Sequence, residues 1–330
     1  MSRYMNSRYA ALDAYVPGEQ PKGEFIKLNA NENPYPPSPG VLAAVRGEDG
    51  CLLNMYPDAA CRELDAALAN ALGVEPENIL CANGSDDILN FCFMAYGERG
   101  ALFPQITYGF YEVFCALHGI EAKRAPMHEG LTLAPADYFD AHQLVVIANP
   151  NAQTGVELPQ EAIEEIVRRN ADSVVVVDEA YVAFGGTSAL PLVKKYPNVI
   201  VVRTFSKSRS MAGARLGFAV GGEELIDDLK RLKYSTNPYS VNRTALAAGI
   251  AAGRDKFAAA LRGRGWTLTD SKANFVLAKP PKGNPEWIFT ALKERGILVR
   301  YFGGELAGYL RITIGTPEQM QKLLAALETA

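Results

Sequence analysis

The stretch Val174-Val-Val-Val-Asp178-Glu-Ala-Tyr181 decides the fold class, because four consecutive valines end there in an acid. A continuous apolar run is typical of a strand that is buried on both faces, as in the centre of a parallel sheet. In open α/β sheets the carboxyl ends of the strands border the ligand crevice, so we expect Asp178 to face a site. Without further evidence, an aspartate at such a position is more often a helix N-cap or turn residue than part of a ligand site.

Short β-rich runs alternate with helix-like segments on both sides of this stretch. The runs are 78–81, 100–103, 144–148, 173–178 and 199–204, with one more at 216–220 whose direction the sequence leaves open. The helix-like segments are 60–72, 86–96, 108–118 and 160–170. Such alternation predicts an α/β fold with a mostly parallel sheet between layers of helices.

The length of 330 residues exceeds what one core usually holds, so we predict more than one domain. Residues 1–40 are rich in proline and read as an extended arm that packs on the small domain or a partner subunit. Residues 41–238 form the predicted large domain. Residues 239–330 contain β-like runs and a terminal helix, and we predict a smaller α/β domain there.

The composition excludes several classes of protein. With 48% hydrophobic residues, a net charge of −4 and no basic run, neither nucleic acid nor a membrane surface is an expected partner. No apolar run has membrane-spanning length, and the N-terminus lacks the apolar region of a signal peptide. The 5 cysteines lack Cys-x-x-Cys spacing and mostly lie in apolar stretches, which predicts buried free thiols in the cytoplasm. The 3 histidines show no metal-ligand spacing, so no metal is expected.

Two further stretches carry polar groups to the ends of predicted strands. The stretch Thr204-Phe-Ser206-Lys207-Ser-Arg-Ser-Met-Ala-Gly-Ala-Arg215-Leu-Gly217 places hydroxyls and two cations in one loop. A lone lysine in a loop is usually solvated, but these groups together predict donors around a bound anion. The stretch Asn83-Gly84-Ser85-Asp86 opens a helix and could offer N–H groups to a phosphate. An ordinary helix start with Ser85 as N-cap explains it equally well.

These stretches resemble the fold-type-I pyridoxal-phosphate aminotransferases. Other stretches resemble the histidinol-phosphate aminotransferase branch of that family. They are Leu28-Asn-Ala-Asn-Glu-Asn-Pro34-Tyr, Tyr56-Pro-Asp58, Asn237-Pro-Tyr-Ser-Val-Asn242, Ala273-Asn-Phe275 and Leu310-Arg-Ile-Thr-Ile-Gly-Thr316. The resemblance covers nearly the whole chain in the family's order.

The resemblance implies roles for the residues around the cofactor, pyridoxal 5'-phosphate. Lys207 would hold the cofactor as a Schiff base and move the proton of the substrate. Asp178 would keep the pyridine nitrogen protonated, and Tyr181 would contact the ring oxygen. Tyr56 would reach the cofactor of a neighbouring subunit, which implies a homodimer. The remaining cofactor contacts would come from Gly84, Ser85, Asp86, Tyr108, Asn151, Thr204, Ser206 and Arg215.

Recognition of small-molecule substrates is implied for four residues. Arg311 matches the arginine that binds the α-carboxylate, a task that suits a planar guanidinium. Arg300 matches the arginine at the substrate's phosphate. Tyr15 and Asn29 are candidate helpers in the N-terminal arm. Without the resemblance, a surface arginine at the end of a strand explains Arg311 equally well, and Tyr15 and Asn29 could be purely structural.

The chain departs from the family's pattern in two places. Where the family has Pro-Asn-Asn-Pro-Thr-Gly, this chain has Pro150-Asn151-Ala152-Gln153-Thr154-Gly155. Ala152 therefore replaces an asparagine that contacts the ring oxygen, and Asn151 is the candidate substitute. After Asn242 the chain also passes through 251–256 as if several helical turns were missing, which predicts altered domain packing.

We therefore expect amino transfer between histidinol phosphate and 2-oxoglutarate, in histidine biosynthesis. An aromatic aminotransferase or a threonine-phosphate decarboxylase would share most of these residues. A non-catalytic regulatory module that binds the cofactor is the alternative outside enzymes.

Overall fold

The structure, a computed structural model, describes residues 2–10, 12, 18–20, 23, 25–37, 39–46, 52–248, 267–268, 275–313 and 317–327. Its helices are α1 Pro39–Arg46, α2 Arg62–Leu72, α3 Ser85–Tyr96, α4 Phe110–His118, α5 Gln160–Arg169, α6 Glu223–Thr236, α7 Arg243–Ala248, α8 Pro285–Glu294 and α9 Pro317–Leu327. Its strands are β1 Ile26–Lys27, β2 Ile79–Ala82, β3 Ala101–Pro104, β4 Ala122–Ala125, β5 Leu144–Ala148, β6 Val175–Asp178, β7 Val199–Thr204, β8 Gly217–Gly221, β9 Thr267–Leu268, β10 Phe275–Lys279, β11 Ile297–Leu298 and β12 Leu310–Thr313. None of the helices in these ranges has the length and apolar character that a membrane crossing needs.

The large sheet positions the site. Within the described ranges it has seven strands in the order β2-β8-β7-β6-β5-β3-β4. Strands β4, β3, β5, β6 and β7 are mutually parallel, whereas β8 pairs antiparallel with both β7 and β2. The prediction of a mostly parallel α/β sheet is confirmed, and the direction that the sequence left open for 216–220 is antiparallel.

Helices cover both faces of this sheet, which explains the uninterrupted valine run. Val175 and Val177 belong to a core that includes residues of α2 and α5, while Val176 belongs to a second core with α3, α4 and α6. Strand β6 therefore meets water on neither face. Strand β4 was not predicted from the sequence, because its Lys123 and Arg124 are exposed at the edge of the sheet and interrupt the apolar pattern. Charged side chains are a usual protection of an edge strand.

A smaller antiparallel sheet lies in the C-terminal part, with β10 between β12 and β9. Helices α8 and α9 pack on it, and Leu28 of the arm joins the same core. Strand β1 of the arm pairs in parallel with β11.

Helix α7 follows the predicted boundary at 238, yet its Ala245 and Ala248 pack into the large core. The division at 40 and 238 stays a prediction, and the shortened stretch 251–256 lies outside the described residues.

Candidate active site

Most of the predicted cofactor residues converge on one pocket at the carboxyl ends of the parallel strands. Strands β6 and β7 are neighbours, and their ends bring the acid of one strand beside the lysine loop that follows the other. This is the position where open α/β sheets bind ligands. The predicted residues that line the pocket are Ser85, Asp86, Tyr108, Asp178, Tyr181, Thr204, Ser206, Lys207 and Arg215.

Asp178 is a buried acid, only 4% exposed. The Tyr111 hydroxyl donates to its Oδ2 over 2.8 Å, and the Ala180 N–H donates to its Oδ1 over 3.1 Å. Burial is the main cause that raises the pKa of the Asp178 carboxyl to about 6, although both donors oppose the rise. Among the described residues no lysine or arginine forms an ion pair with it. A protonated ring nitrogen would supply the missing positive partner, so the acid fits pyridoxal phosphate.

Tyr111 was missed in the sequence, where it is one aromatic residue in the apolar helix α4. Its ring is fully buried, and contact with the Asp178 carboxyl and burial both hold the pKa of its hydroxyl well above the usual value, burial being the larger cause. The hydroxyl therefore remains a proton donor to the acid. No sequence pattern distinguishes such a tyrosine from an ordinary core residue.

The N-terminus of α3 and the loop after β7 form a candidate anion site. Gly84, with φ of 86°, is the N-cap of α3, so the alternative with Ser85 as N-cap is wrong. The guanidinium of Arg215 lies between two side chains of the pocket. It donates to Ser206 Oγ over 3.4 Å and to Asp86 Oδ2 over 2.9 Å. A helix N-terminus beside an arginine and a hydroxyl is the donor set that a phosphate requires.

Two glycines make room for this anion site. A Cβ on Gly217 would lie 2.4 Å from the Ser85 nitrogen, and one on Gly84 would lie 2.7 Å from Arg215 Nη2. At Gly217 the clash is with backbone atoms, so only glycine lets β8 approach the start of α3 this closely. At Gly84 the clash is with the flexible end of the Arg215 side chain, and the positive φ of 86° is what favours glycine there. Arg215 itself has a φ of 52°, a strained value for a residue with a side chain. The donors are thus held around a small space, which fits the phosphate of the cofactor.

Lys207 and Tyr181 both line the pocket, and the lysine Nζ lies over the tyrosine ring, 5.6 Å from its centre. The Asn31 side chain donates to the Tyr181 hydroxyl over 2.9 Å, and the Thr313 hydroxyl donates to Asn31 Oδ1 over 2.8 Å. The arm and strand β12 therefore fix the tyrosine. Asn31 was missed as a site residue, although it lies in a stretch that carries the family resemblance.

Asn151 does not reach the pocket as predicted. Its amide nitrogen donates to the Ile106 carbonyl over 2.8 Å, and its Oδ1 accepts from the Gln153 and Thr154 N–H groups over 2.9 and 3.1 Å. These bonds use the side chain to hold its own loop. Ala152, at the position of the family's asparagine, lines the pocket instead. The structure therefore does not support Asn151 as the substitute.

The two predicted substrate arginines lie side by side, because Arg300 and Arg311 bond to each other through their backbones. Their guanidinium carbons lie 5.4 and 5.1 Å from the centre of the Phe302 ring. Arg311 also donates to the carbonyl of Ala152 over 3.2 Å, which places it at the pocket wall. Asn29 is buried nearby, and its carbonyl accepts from Arg311 over 3.5 Å. Tyr15 lies outside the described residues.

Of the two tyrosines predicted to contact the cofactor beside Tyr181, Tyr108 lies in the pocket and Tyr56 lies on the surface. Tyr108 lines the pocket, and its hydroxyl donates to Asp86 Oδ1 over 2.8 Å. Tyr56 is 77% exposed and stacks on Tyr239 with 4.4 Å between ring centres. It does not line the pocket of its own chain.

In the described part of the chain, no group of three or more metal-ligating side chains is found.

Comparison with known proteins assigns the family. The family model of aminotransferase class I and II matches residues 23–248 and 239–327. A histidinol-phosphate aminotransferase of Marinomonas sp. is 45% identical, with 100% of each chain covered. One of Hydrogenovibrio crunogenus is 44% identical and covers 99% of this chain and 98% of its own. The crystal structure of histidinol-phosphate aminotransferase from Sinorhizobium meliloti in complex with pyridoxal-5'-phosphate is 27% identical, has a TM-score of 0.81, and covers 92% of this chain and 89% of its own. The chain therefore belongs to the histidinol-phosphate aminotransferase family, within aminotransferase class I and II.

Proposed function

We propose that this enzyme moves an amino group between histidinol phosphate and 2-oxoglutarate, as a step of histidine biosynthesis. The observation that carries the proposal is the meeting of Lys207, Asp178 and Arg215 around one pocket. As a member of its family the chain is an aminotransferase, and its cofactor is pyridoxal phosphate.

Pyridoxal phosphate supplies an aldehyde that captures amines and a ring that accepts electrons. Lys207 Nζ would hold the aldehyde carbon until the substrate amine replaces it. The freed amine would then take the proton from the α-carbon of the substrate and deliver it to the former aldehyde carbon of the cofactor. Asp178 would keep a proton on the ring nitrogen. The Tyr181 hydroxyl would donate to the ring oxygen, oriented by the Asn31 amide.

The phosphate would bind at the start of α3. The N–H groups of Gly84 and Ser85 would donate to its oxygens, together with Ser206 Oγ and the guanidinium of Arg215. Asp86 would orient this guanidinium through their ion pair of 2.9 Å. These donors would hold the cofactor where the Asp178 carboxyl can meet its ring nitrogen.

The substrate would occupy the space between the cofactor and the two arginines. Arg311 would bind the α-carboxylate of glutamate or 2-oxoglutarate, and Arg300 would bind the phosphate of histidinol phosphate. Asn29 contributes its carbonyl to the position of Arg311. We include Tyr15 as a phosphate ligand on the family resemblance alone.

We propose a homodimer as the active unit. The segment 52–56 presents Leu52, Leu53, Met55 and Tyr56, all exposed, and such a contiguous apolar surface favours a protein partner. Tyr56 would reach the phosphate in the second subunit. Mixing Tyr56→Ala and Lys207→Ala proteins tests this, because one site of the mixed dimer would hold neither substitution. Recovery of activity in the mixture supports a shared site. If no activity is recovered, the shared site is contradicted.

We place the enzyme in the cytoplasm, where the buried free thiols of Cys61, Cys81, Cys92 and Cys115 would stay reduced. A reporter enzyme that is active only outside the reducing cytoplasm, fused to the C-terminus, checks this location. Reporter activity would contradict it.

A side-by-side assay tests the reaction. Histidinol phosphate, phenylalanine and threonine phosphate are supplied in turn with 2-oxoglutarate, and amino transfer and decarboxylation are scored separately. We expect transfer from histidinol phosphate with the highest kcat/KM. Faster transfer from phenylalanine, or carbon dioxide from threonine phosphate, would replace the proposed reaction with the corresponding alternative.

A further inference from the structure

Gln153 is bound to the arginine that the proposed function assigns to the substrate's carboxylate. It stands where the resemblance described above implies a proline, a residue whose side chain accepts no hydrogen bond. Its Oε1 accepts from Arg311 Nη1 over 2.9 Å. This chain therefore places a neutral side-chain acceptor on the proposed substrate arginine.

The acceptors around Arg311 differ in how easily they move. The carbonyls of Ala152 and Asn29, at 3.2 and 3.5 Å, belong to the backbone and are fixed by it. The Gln153 amide is at the end of a flexible side chain that is only half-buried. An incoming anion can therefore displace the amide by a change of rotamer, without moving the loop.

The proposed reaction brings two chemically different groups to Arg311. Histidinol phosphate is an amino alcohol without a carboxylate, whereas glutamate and 2-oxoglutarate each bring an α-carboxylate. A half-buried guanidinium that loses an acceptor pays a desolvation cost, and an anion held permanently beside it would compete with the carboxylate. A neutral acceptor that can move away meets both needs: it bonds to Arg311 when the substrate has no carboxylate, and it makes room when a carboxylate binds.

We propose that Gln153 is a specificity-determining residue that lets one site accept substrates with and without an α-carboxylate. Its amide oxygen holds Arg311 in place for the carboxylate-free amino substrate and gives way to the carboxylate of glutamate or 2-oxoglutarate. The proposal rests on the proposed function, because it needs Arg311 at the substrate.

Two substitutions separate the two situations. Gln153→Glu has nearly the same shape and places an anion on Arg311, whereas Gln153→Leu removes the acceptor. The probes are glutamate, histidinol phosphate and histidinol, which carries neither carboxylate nor phosphate. Each is titrated into the purified holoenzyme, and the absorbance of the bound cofactor gives its half-saturation concentration and limiting rate separately. Gln160→Glu, at the first position of α5, is the control for added charge.

For Gln153→Glu we expect the half-saturation concentration of glutamate to rise at least about tenfold, against less than about threefold for histidinol and histidinol phosphate. For Gln153→Leu we expect the reverse, with both amino alcohols weakened and glutamate unchanged or tighter. The proposal would be overturned if the half-saturation concentrations of all three probes changed equally. It would also be overturned if the half-saturation concentration of glutamate were the same in Gln153→Glu and in Gln160→Glu. A parent enzyme that reacts with glutamate but not with histidinol phosphate would refute the proposed function instead. Glutamate and histidinol would then still decide the role of Gln153.

Discussion

Replacing Asp178 by asparagine should stabilise the cofactor-free protein at neutral pH and weaken the holoenzyme. Asparagine keeps the shape of the side chain and removes its charge at every pH. The aspartate is buried, and its pKa is raised from 3.8 to about 6, mainly by that burial. A carboxyl with a raised pKa in the folded state contributes stability that is fully present below pH 3.8 and is lost as the pH rises through about 6. Asparagine carries no such dependence.

The magnitude follows from the size of the pKa change. Each pH unit between the two pKa values corresponds to about 1.4 kcal/mol, so a rise of roughly two units corresponds to about 3 kcal/mol. The full burial of the carboxyl means that solvent screening does not reduce this value appreciably. Relative to the parent, cofactor-free Asp178→Asn should therefore gain about 3 kcal/mol in free energy of unfolding between pH 3.5 and pH 8.

Urea titrations of the cofactor-free parent and variant at several pH values measure this difference. Other titrating groups act equally in both proteins and cancel in the comparison. Tyr111→Phe is a useful companion, because it removes the 2.8 Å donor to Asp178 and should move the pH dependence of the difference to a higher pH. With the cofactor bound the order should reverse, since the positive ring nitrogen of the parent then has its anionic partner.

A stability difference that stays constant across this pH range would refute the burial argument. It would mean that the carboxyl is solvated in the cofactor-free protein. An unchanged cofactor affinity in Asp178→Asn would separately refute the assignment of this acid to the ring nitrogen.

Three other substitutions test the site. Lys207→Ala should abolish turnover while some cofactor stays bound non-covalently, as seen by borohydride reduction and mass spectrometry; turnover near the parent level would reject the assignment. Arg300→Ala should raise the KM of histidinol phosphate at least about tenfold more than that of phenylalanine, because a phosphate dianion is left partly unpaired; equal losses would remove Arg300 from the phosphate site. Gly217→Ala should weaken cofactor binding at least about tenfold, because its Cβ would lie 2.4 Å from the Ser85 nitrogen. Gly213→Ala is its control, since nothing lies within 4 Å of that Cβ, and equal affinities of the two variants would contradict the steric argument.

The mostly parallel sheet and the positions of most of its strands along the chain followed from local patterns, whereas the order of the strands within the sheet came only from the structure. The valine run before Asp178 predicted a strand covered on both faces, and α/β alternation predicted parallel neighbours. Strand β4 escaped prediction because its exposed Lys123 and Arg124 hide the apolar pattern. The reversed direction of β8 escaped because strand direction depends on pairing partners, which are distant in the sequence.

The site was predicted in part. The stretch around Lys207 and the turn at Gly84 carried enough pattern to identify the family and to place the cofactor residues. Asn151 does not line the pocket, where Ala152 lies instead, because its side chain is held by hydrogen bonds within its own loop that the sequence does not reveal. Tyr111 could not be found, since its contact with Asp178 joins residues 67 positions apart and no motif surrounds it. Asn31 lies in a stretch that resembles the family, but its contact with Tyr181, 150 positions away, appears only in the structure.

The sequence by itself determined which chemical groups this protein carries and the order in which the strands present them. Only the tertiary structure decided how those groups act on one another. A pKa, an oriented hydroxyl or a displaceable acceptor depends on burial and on distances of a few ångströms between segments that are far apart in the chain. Residue type specifies what a side chain can donate or accept, and folding specifies which partner it meets.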